Sequence, residues 1–476
     1  MEQDARSKMR RVLDAPEPRR QDPPPVGGGQ GEDDDSPINR LPIDVLGNII
    51  SFLPTKDGGR TQILSNRWRP LWRTAPLNLQ VDTTLSTLDP KRISAANKIL
   101  STHEGPARRF CLLGFRLRNR LARIDGWLRS PALNGLQEID FSYSIPDAGV
   151  PHPLPPSALR FAPTLRVASF GDCDFPNEMA PLLHFPELRE LSLSSVNISE
   201  EALHSLIAAC RVLESLFLED NDGIGRVRIT SKTLKIIGFS GPWKVSSLAV
   251  RFQELVIEDA PSLERLLQRF PDNGPATIRV MQAPKLEMVG MLAACNSRLE
   301  IGATVLQEMI AQSITTTMRS VKVLSINSLG PNLNSVVDFL KCFPCMEELH
   351  ITYDLQKTMN NARTYDPLDP IECLELHLKK VVMNDYHGMK PDVDFAKFFV
   401  LNAKVLKVME FGAHSICNDK WMANQCRRLQ LDNKASPRAR FTFAKGYGDM
   451  SFPRFEKANP FERANPKNFL TSATYF

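Results

Sequence analysis

The sequence has little that would tie it to a membrane, to nucleic acid or to an oxidising compartment. None of its apolar runs approaches the roughly 20 residues that span a bilayer, and its first residues hold no signal-peptide hydrophobic region. Charge of one sign is also missing: 59 basic against 54 acidic residues leave a formal +5, too balanced to argue for a nucleic-acid partner. Nine cysteines, scattered and odd in number, suit reduced thiols better than a disulfide framework. The expectation is an intracellular protein of the nucleus and/or cytoplasm with no nucleic-acid or membrane partner.

Marks of catalysis are equally scarce. The eight histidines are dispersed, with no His-x-x-x-His. Gly27 to Gly29 lacks the following strand and helix that a phosphate loop needs, and Gly58-Gly59 reads as a turn between helices. Nothing marks a nucleophile. Cys342-Phe-Pro-Cys345 has the spacing of a redox or zinc pair. It has no second pair nearby, and its place just before a strand at Leu349 favours core packing. The chain is expected to hold no catalytic residue, no metal and no cofactor.

What is present begins with a tail. Residues 1–35 mix charges with Pro23 to Pro25, Gly27 to Gly29 and the acidic run Glu32 to Asp35, so nothing there can build a core and disorder is expected. Arg10-Arg11 and Arg19-Arg20 have the form of a split import signal, but paired arginines are common in such tails. From Leu41 the pattern changes. Leu41-Pro42 followed by Asp44 signals a helix start. Leu46, Ile49, Ile50 and Leu53 then recur at helical spacing until Pro54 stops the run. A second helix from about Arg60 is predicted to carry Ile63, Leu64, Trp68, Leu71 and Trp72. A unit so small buries little surface alone, so its apolar side chains call for a partner.

LPIDVLGNIISFLPTKDGGRTQILSNRWRPLW resembles an F-box in the form found in plant F-box/leucine-rich-repeat/FBD proteins. The resemblance implies docking onto a Skp-type adaptor and, through it, a cullin. Its implied adaptor contacts are Leu41, Pro42, Ile49, Leu53, Leu64, Trp68, Leu71 and Trp72.

Behind this segment, residues 76–82 read as a strand and Ile93 to Leu100 as a helix. A repeat then takes over: apolar, two variable, apolar, one variable, apolar. Clear copies begin at Leu136, Leu165, Leu188, Leu213, Leu234 and Phe252, and weaker ones centre on Ile278, Leu299, Leu324 and Leu349. The steps between the clear copies run from 18 to 29 residues, close to the range of leucine-rich repeats. No copy buries its apolar side alone, so stacking into a curved parallel sheet is expected. The shortest steps leave room only for turns or short 3₁₀ returns. Ala260-Pro261 and Ala283-Pro284 recur just after strands. A doubly wound α/β domain needs longer and more regular helices than this chain offers.

The stretch from Tyr365 through Phe443 resembles the FBD region of that plant group. It reads as strands around Val381 and Met409, a helix from Asp392 to Asn402, and a final helix from Asn418 to about Leu431 covering the open sheet end. The resulting expectation is an α/β chain: tail 1–35, helical F-box 36–76, linker 77–104, leucine-rich-repeat solenoid 105–360, FBD cap 361–443 and a poorly ordered tail 444–476.

The expected concave face carries Glu138, Asp140, Glu190, Glu219, Glu254, Glu258, Glu300, Glu348 and Glu410 against Arg109, Arg279, Arg298 and Lys380, with His350 beside them. That surplus of acids predicts a protein target with a neutral or basic segment, and weighs against an inositol-polyphosphate pocket of the kind some F-box repeat receptors use. The functional expectation is a non-enzymatic substrate receptor of an SCF-type ubiquitin ligase. The alternative is an interaction scaffold whose F-box-like hairpin binds no adaptor.

Overall fold

The structure, a computed structural model, describes residues 37–115, 120–143, 152–242, 250–269, 273–293, 298–307, 310–313, 317–327, 333–352, 369–413 and 418–445. The expected tail 1–35 lies outside the described residues, as does the expected tail 444–476 from residue 446 onward; Ala444 and Lys445 belong to strand β21 instead. The chain forms two compact units, Met1–Leu46 and Gly47–Phe476. In the first, Pro37–Arg40 makes a 3₁₀ turn, and helix α1 (Ile43–Phe52) begins with Asp44 in its first turn, where the helix dipole favours an acid.

The second unit opens with the short helices α2 (Thr55–Arg60) and α3 (Trp68–Thr74). It continues through β1 (Leu77–Val81), α4 (Asp89–Thr102), β2 (Ala107–Phe115), α5 (Leu121–Leu128), β3 (Glu138–Tyr143), β4 (His152–Pro153), β5 (Val167–Asp174), β6 (Glu190–Asn197), α6 (Glu200–Ala209) and β7 (Ser215–Glu219). Strands then dominate: β8 (Arg226–Thr230), β9 (Ile236–Phe239), β10 (Glu254–Asp259), β11 (Arg265–Gln268), β12 (Thr277–Val280), β13 (Met288–Ala293), β14 (Arg298–Ile301), β15 (Thr304–Gln307) and β16 (Ile310–Ser313). Helices return with β17 (Val323–Asn327), α7 (Leu333–Cys342), β18 (Glu348–Thr352), α8 (Glu372–Leu376), β19 (Lys380–Tyr386), α9 (Lys390–Asn402), β20 (Val408–Ala413), α10 (Asp419–Arg428) and β21 (Arg440–Lys445).

Fifteen strands form one sheet in the order β1, β2, β3, β5, β6, β7, β9, β11, β13, β17, β18, β19, β20, β21, with β4 beside β5. Neighbours are parallel throughout, from β1·β2 to β20·β21. Strand order follows chain order without the reversal that marks a doubly wound sheet, so each strand is laid beside the one before it, as in a solenoid. The reason is visible in the side chains. An apolar residue ahead of most strands, usually Leu, and two alternate residues within the strand point to one side, as in Leu188, Leu191 and Leu193, all fully buried. Each such side chain contributes about 1.5–3 kcal/mol when removed from water, and only the neighbouring copies can cover it. Leu203 and Leu206 of α6, Val336 and Leu340 of α7 and Phe395 and Phe399 of α9 close the same core.

From Arg226 to Ser313 the returns are strands rather than turns or 3₁₀ pieces. β8, β10, β12 and β14 run parallel and β15 and β16 antiparallel, forming a separate six-stranded sheet. The copies predicted at Phe252, Ile278 and Leu299 are therefore β10, β12 and β14 of this second sheet. The large sheet is carried there by β11 and β13, whose Leu263/Leu266 and Leu286/Val289 follow directly on the two Ala-Pro pairs. Both sheets bury one face in the shared core, so both show the same alternation.

Near the C-terminal ends of four strands, β5, β6, β7 and β19, a residue takes the left-handed region: Asp172, Ser195, Asp220 and Asp385, with φ of 50°, 54°, 54° and 56°. Each stands four positions after the central inward residue of its strand, and short polar side chains tolerate that conformation best. At the far end, α10 is not the last element. It leads into β21, where Phe443 stacks on Phe411 with centroids 4.7 Å apart and takes Trp421 of α10 edge-on at 5.7 Å.

Candidate functional site

The apolar side chains of the first unit split by exposure. Ile38, Ile43 and Val45 face solvent, Leu41 is half-buried, Pro42 is exposed and Leu46 is fully buried. In the second unit Ile50 is buried, Ile49 and Leu53 are half-buried, and Phe52 (68 % exposed), Ile63 (84 %) and Leu64 (58 %) stand out in solvent. The second predicted helix is broken: α2 gives way to a 3₁₀ turn at Thr61–Ile63 before α3. Gly58 and Gly59 are not the break but lie inside α2. Gly58 is fixed by packing, because a Cβ there would come within 2.5 Å of the Trp72 ring. Trp72 in turn meets His103 edge-on at 5.8 Å.

The start of α2 also finishes the large sheet. β1 is an edge strand with every residue buried. Thr55 Oγ1 donates to the Asn78 carbonyl (2.9 Å) and accepts from the Gln80 N–H (2.6 Å), and Asn78 Nδ2 donates to the Leu53 carbonyl (2.9 Å). These bonds satisfy backbone groups that an open edge would leave bare. Arg108 of β2 adds a strut: its Nη1 donates to Ser51 Oγ (2.6 Å), and its guanidinium lies 3.7 Å from the Phe52 ring centroid, a cation–π contact.

The side of the large sheet opposite the Leu rows presents two registered rows. The first runs Arg109, Glu138, Val167, Glu190, Ser215, Ile236, Arg265, Met288, Val323, Glu348, Lys380, Val408, Arg440. The second includes Cys111, Asp140, Ser192, Phe217, Gly238, Leu267, Ser325, His350, Val382 and Glu410. The middle is apolar, where Leu267, Met288 and Val323 pack together and the Phe217 ring lies against Gly238. It is also nearly closed to solvent: Phe217, Ser325, His350 and Val382 are all buried.

Charge gathers toward the ends and along the rim. Asp140, beside Arg109 at 3.3 Å, is pushed above the usual aspartate range by burial, which outweighs that arginine. Burial likewise raises Glu219, paired with Arg269 at 2.8 Å, with the charges of Asp220 and Asp172 adding to the shift. Asp172 accepts from Ser142 Oγ at 2.6 Å and is raised by burial and then by Asp220. Glu410 pairs with Lys380 at 2.9 Å.

Comparison with known proteins fits this geometry. Residues 38–80 match the family model of the F-box domain, residues 124–351 the model described as FBD-associated F-box protein At5g56370, LRR repeats, and residues 366–411 the FBD model. The chain carries an F-box, LRR repeats and an FBD. Among its relatives in Arabidopsis thaliana, the putative F-box/FBD/LRR-repeat protein At5g56810 is 24 % identical over 412 residues, covering 81 % of this chain and 92 % of that protein. The putative FBD-associated F-box protein At5g56440 is 24 % identical over 445 residues, covering 85 % and 99 %.

Within the F-box, the predicted contacts divide. Pro42 and Leu64 are exposed and Leu41, Ile49 and Leu53 partly so, but Trp68 (2 % exposed), Leu71 (5 %) and Trp72 (9 %) are core. They are corrected from docking contacts to packing residues, because α3 turns them inward. Ile43, Val45, Phe52 and Ile63 are exposed apolar residues of the same segment that were not among the predicted contacts. The available signal was the sheer apolar content of the Ile43–Leu53 stretch, more than one buried face can use.

In the repeats, Glu138, Asp140, Glu190, Glu219, Glu348 and Glu410 do lie on the large sheet. Glu254, Glu258 and Glu300 do not: they are in the six-stranded sheet, where Glu254 pairs with Arg279 (3.1 Å), Glu258 with Arg228 (3.7 Å), and Glu300 with Arg279 and Arg298 (2.6 Å each). His350 is buried, 3.7 Å from Glu348, rather than a surface residue. With Arg265 and Arg440 added from strands that the repeat pattern missed, and Arg269 just after β11, six acids face five bases, so the surplus narrows to one and gives little ground for expecting a basic target segment.

Proposed function

We propose that the chain is the substrate-recognition subunit of an SCF-type ubiquitin ligase, with its F-box docking a Skp-type adaptor, and through it a cullin, and its repeats holding a protein target. It works in the nucleus or cytoplasm and contributes no catalytic residue. One observation carries this reading. Of the thirteen large apolar side chains exposed among the described residues, six fall between Ile38 and Leu64, inside the segment that matches the F-box model. Exposed apolar side chains concentrated in one short segment indicate a protein partner. Holding target and adaptor in one assembly raises the effective concentration of target lysines near the transferred ubiquitin.

The test is capture of a purified Skp-type adaptor by the full chain. Ile63→Asp with Leu64→Asp is expected to abolish capture and leave the melting temperature unchanged, since neither side chain is buried. Trp68→Ala is expected to cost about 3–5 kcal/mol of stability through its cavity. Undiminished capture by the double aspartate variant would refute the proposal.

A further inference from the structure

The Cys342-Phe-Pro-Cys345 pair is not a chelating pair in the fold. Cys342 is 2 % exposed and belongs to the core, whereas Cys345, in the turn ahead of β18, is half-exposed. Two residues from α8 approach Cys345. Glu372 opens that helix and His377 is its C-cap. The Cys345 Sγ, a Glu372 carboxylate oxygen and a His377 ring nitrogen all lie within 4.8 Å of one another. A cation already sits among them. Arg319 Nη1 and Nη2 donate to the two Glu372 oxygens at 2.9 Å each, and Nη1 lies 3.6 Å from Cys345 Sγ.

We propose that Cys345, Glu372 and His377 form a three-ligand site for zinc or a similar borderline divalent cation, with Arg319 holding the place in the metal-free chain. Thiolate, imidazole and carboxylate are the donor types zinc takes, with water in the fourth position. Bonds of about 2.0–2.3 Å put tetrahedral ligands about 3.5 Å apart, so the three side chains must close in by about an ångström. All three are partly exposed and have room to do so. Arg319 can leave: its side chain is 62 % exposed, and an exposed ion pair holds it only weakly. The charges also favour the exchange. Coordination releases the Cys345 thiol proton to solvent, and thiolate plus carboxylate then balance the two charges of the metal, where Arg319 balances one. The occupied site would tie the turn ahead of β18 to α8, in the segment that matches the FBD model.

The experiment titrates the full reduced chain with Zn²⁺ by calorimetry and with Co²⁺ by absorption. One equivalent of Zn²⁺ and a cobalt–thiolate charge-transfer band are expected. Cys345→Ser combined with His377→Ala should lose the band and at least tenfold in Zn²⁺ affinity, whereas Arg319→Ala, which removes the competing cation, should raise affinity. Equal Zn²⁺ binding by parent and double variant, absence of the thiolate band, or weaker binding by Arg319→Ala would each overturn the proposal.

Discussion

Replacing Thr55 with valine removes one hydroxyl and little else, because the two side chains have nearly the same shape. That hydroxyl bridges α2 to two backbone groups of the edge strand β1, the Asn78 carbonyl and the Gln80 N–H. Thr55 is buried, with 3 % exposure, and so are Asn78 and Gln80, so water does not readily take its place. An unsatisfied buried polar group costs about 1–3 kcal/mol, and two of them about 2–6 kcal/mol. Since each 1.4 kcal/mol is a factor of ten, amide exchange at Gln80 through local opening is expected to quicken by about thirtyfold to about ten-thousandfold or more. Hydrogen exchange on the full chain reads this directly, with the amides of β5 and β6 as an unaffected internal reference. Thr55→Ser, which keeps the hydroxyl, should stay close to the parent. Unchanged Gln80 exchange in Thr55→Val, or a serine variant as impaired as the valine one, would refute the reasoning.

Two further outcomes follow from the same structure. Gly58→Ala is expected to lose about 1–3 kcal/mol, because the added methyl meets the Trp72 ring. Gly59→Ala, with no atom within 4 Å of its added methyl, should gain about 0.5–1 kcal/mol from helix propensity; thermal unfolding of the two variants should therefore move in opposite directions. Burial and the Asp220 charge raise the Asp172 pKa, so the stability tied to its protonation is full below the ordinary aspartate value of about 3.9 and is lost as pH rises through the higher folded value. Asp172→Asn, which keeps an acceptor for Ser142 and suits a φ of 50°, should melt higher than the parent at pH 7 and equally below about pH 4; a pH-independent difference would sink this account.

The ladder of parallel strands was legible because stacking repeats leave a fixed trace: three inward apolar positions per copy, as at Leu188, Leu191 and Leu193. That trace reports burial and not sheet membership. Phe252, Leu255 and Ile257 obey it as well as Leu213, Leu216 and Leu218 do, yet the first set belongs to the six-stranded sheet, and the acids beside it were carried to the wrong surface. In the F-box, helix starts were readable from Pro42 and Asp44. The inward turn of Trp68, Leu71 and Trp72 was not, since apolar character alone does not say whether a side chain meets its own fold or a partner. Gly58 looked like a breaker because glycine is one by propensity, but its role here is steric. Cys345, Glu372 and His377 come together only through the packing of α8 against the turn ahead of β18, a juxtaposition that no local spacing encodes.

The hydroxyl of Thr55 has a bearing on how chains of this F-box/LRR/FBD arrangement are truncated for experiment. Removing the helices α1 to α3 ahead of β1 would strip the lid from that strand and leave a raw margin able to recruit another chain by β-pairing. A shortened protein of that kind would collect self-associated material, whereas point changes at Ile63 and Leu64 would test the proposed adaptor docking and keep the margin sealed.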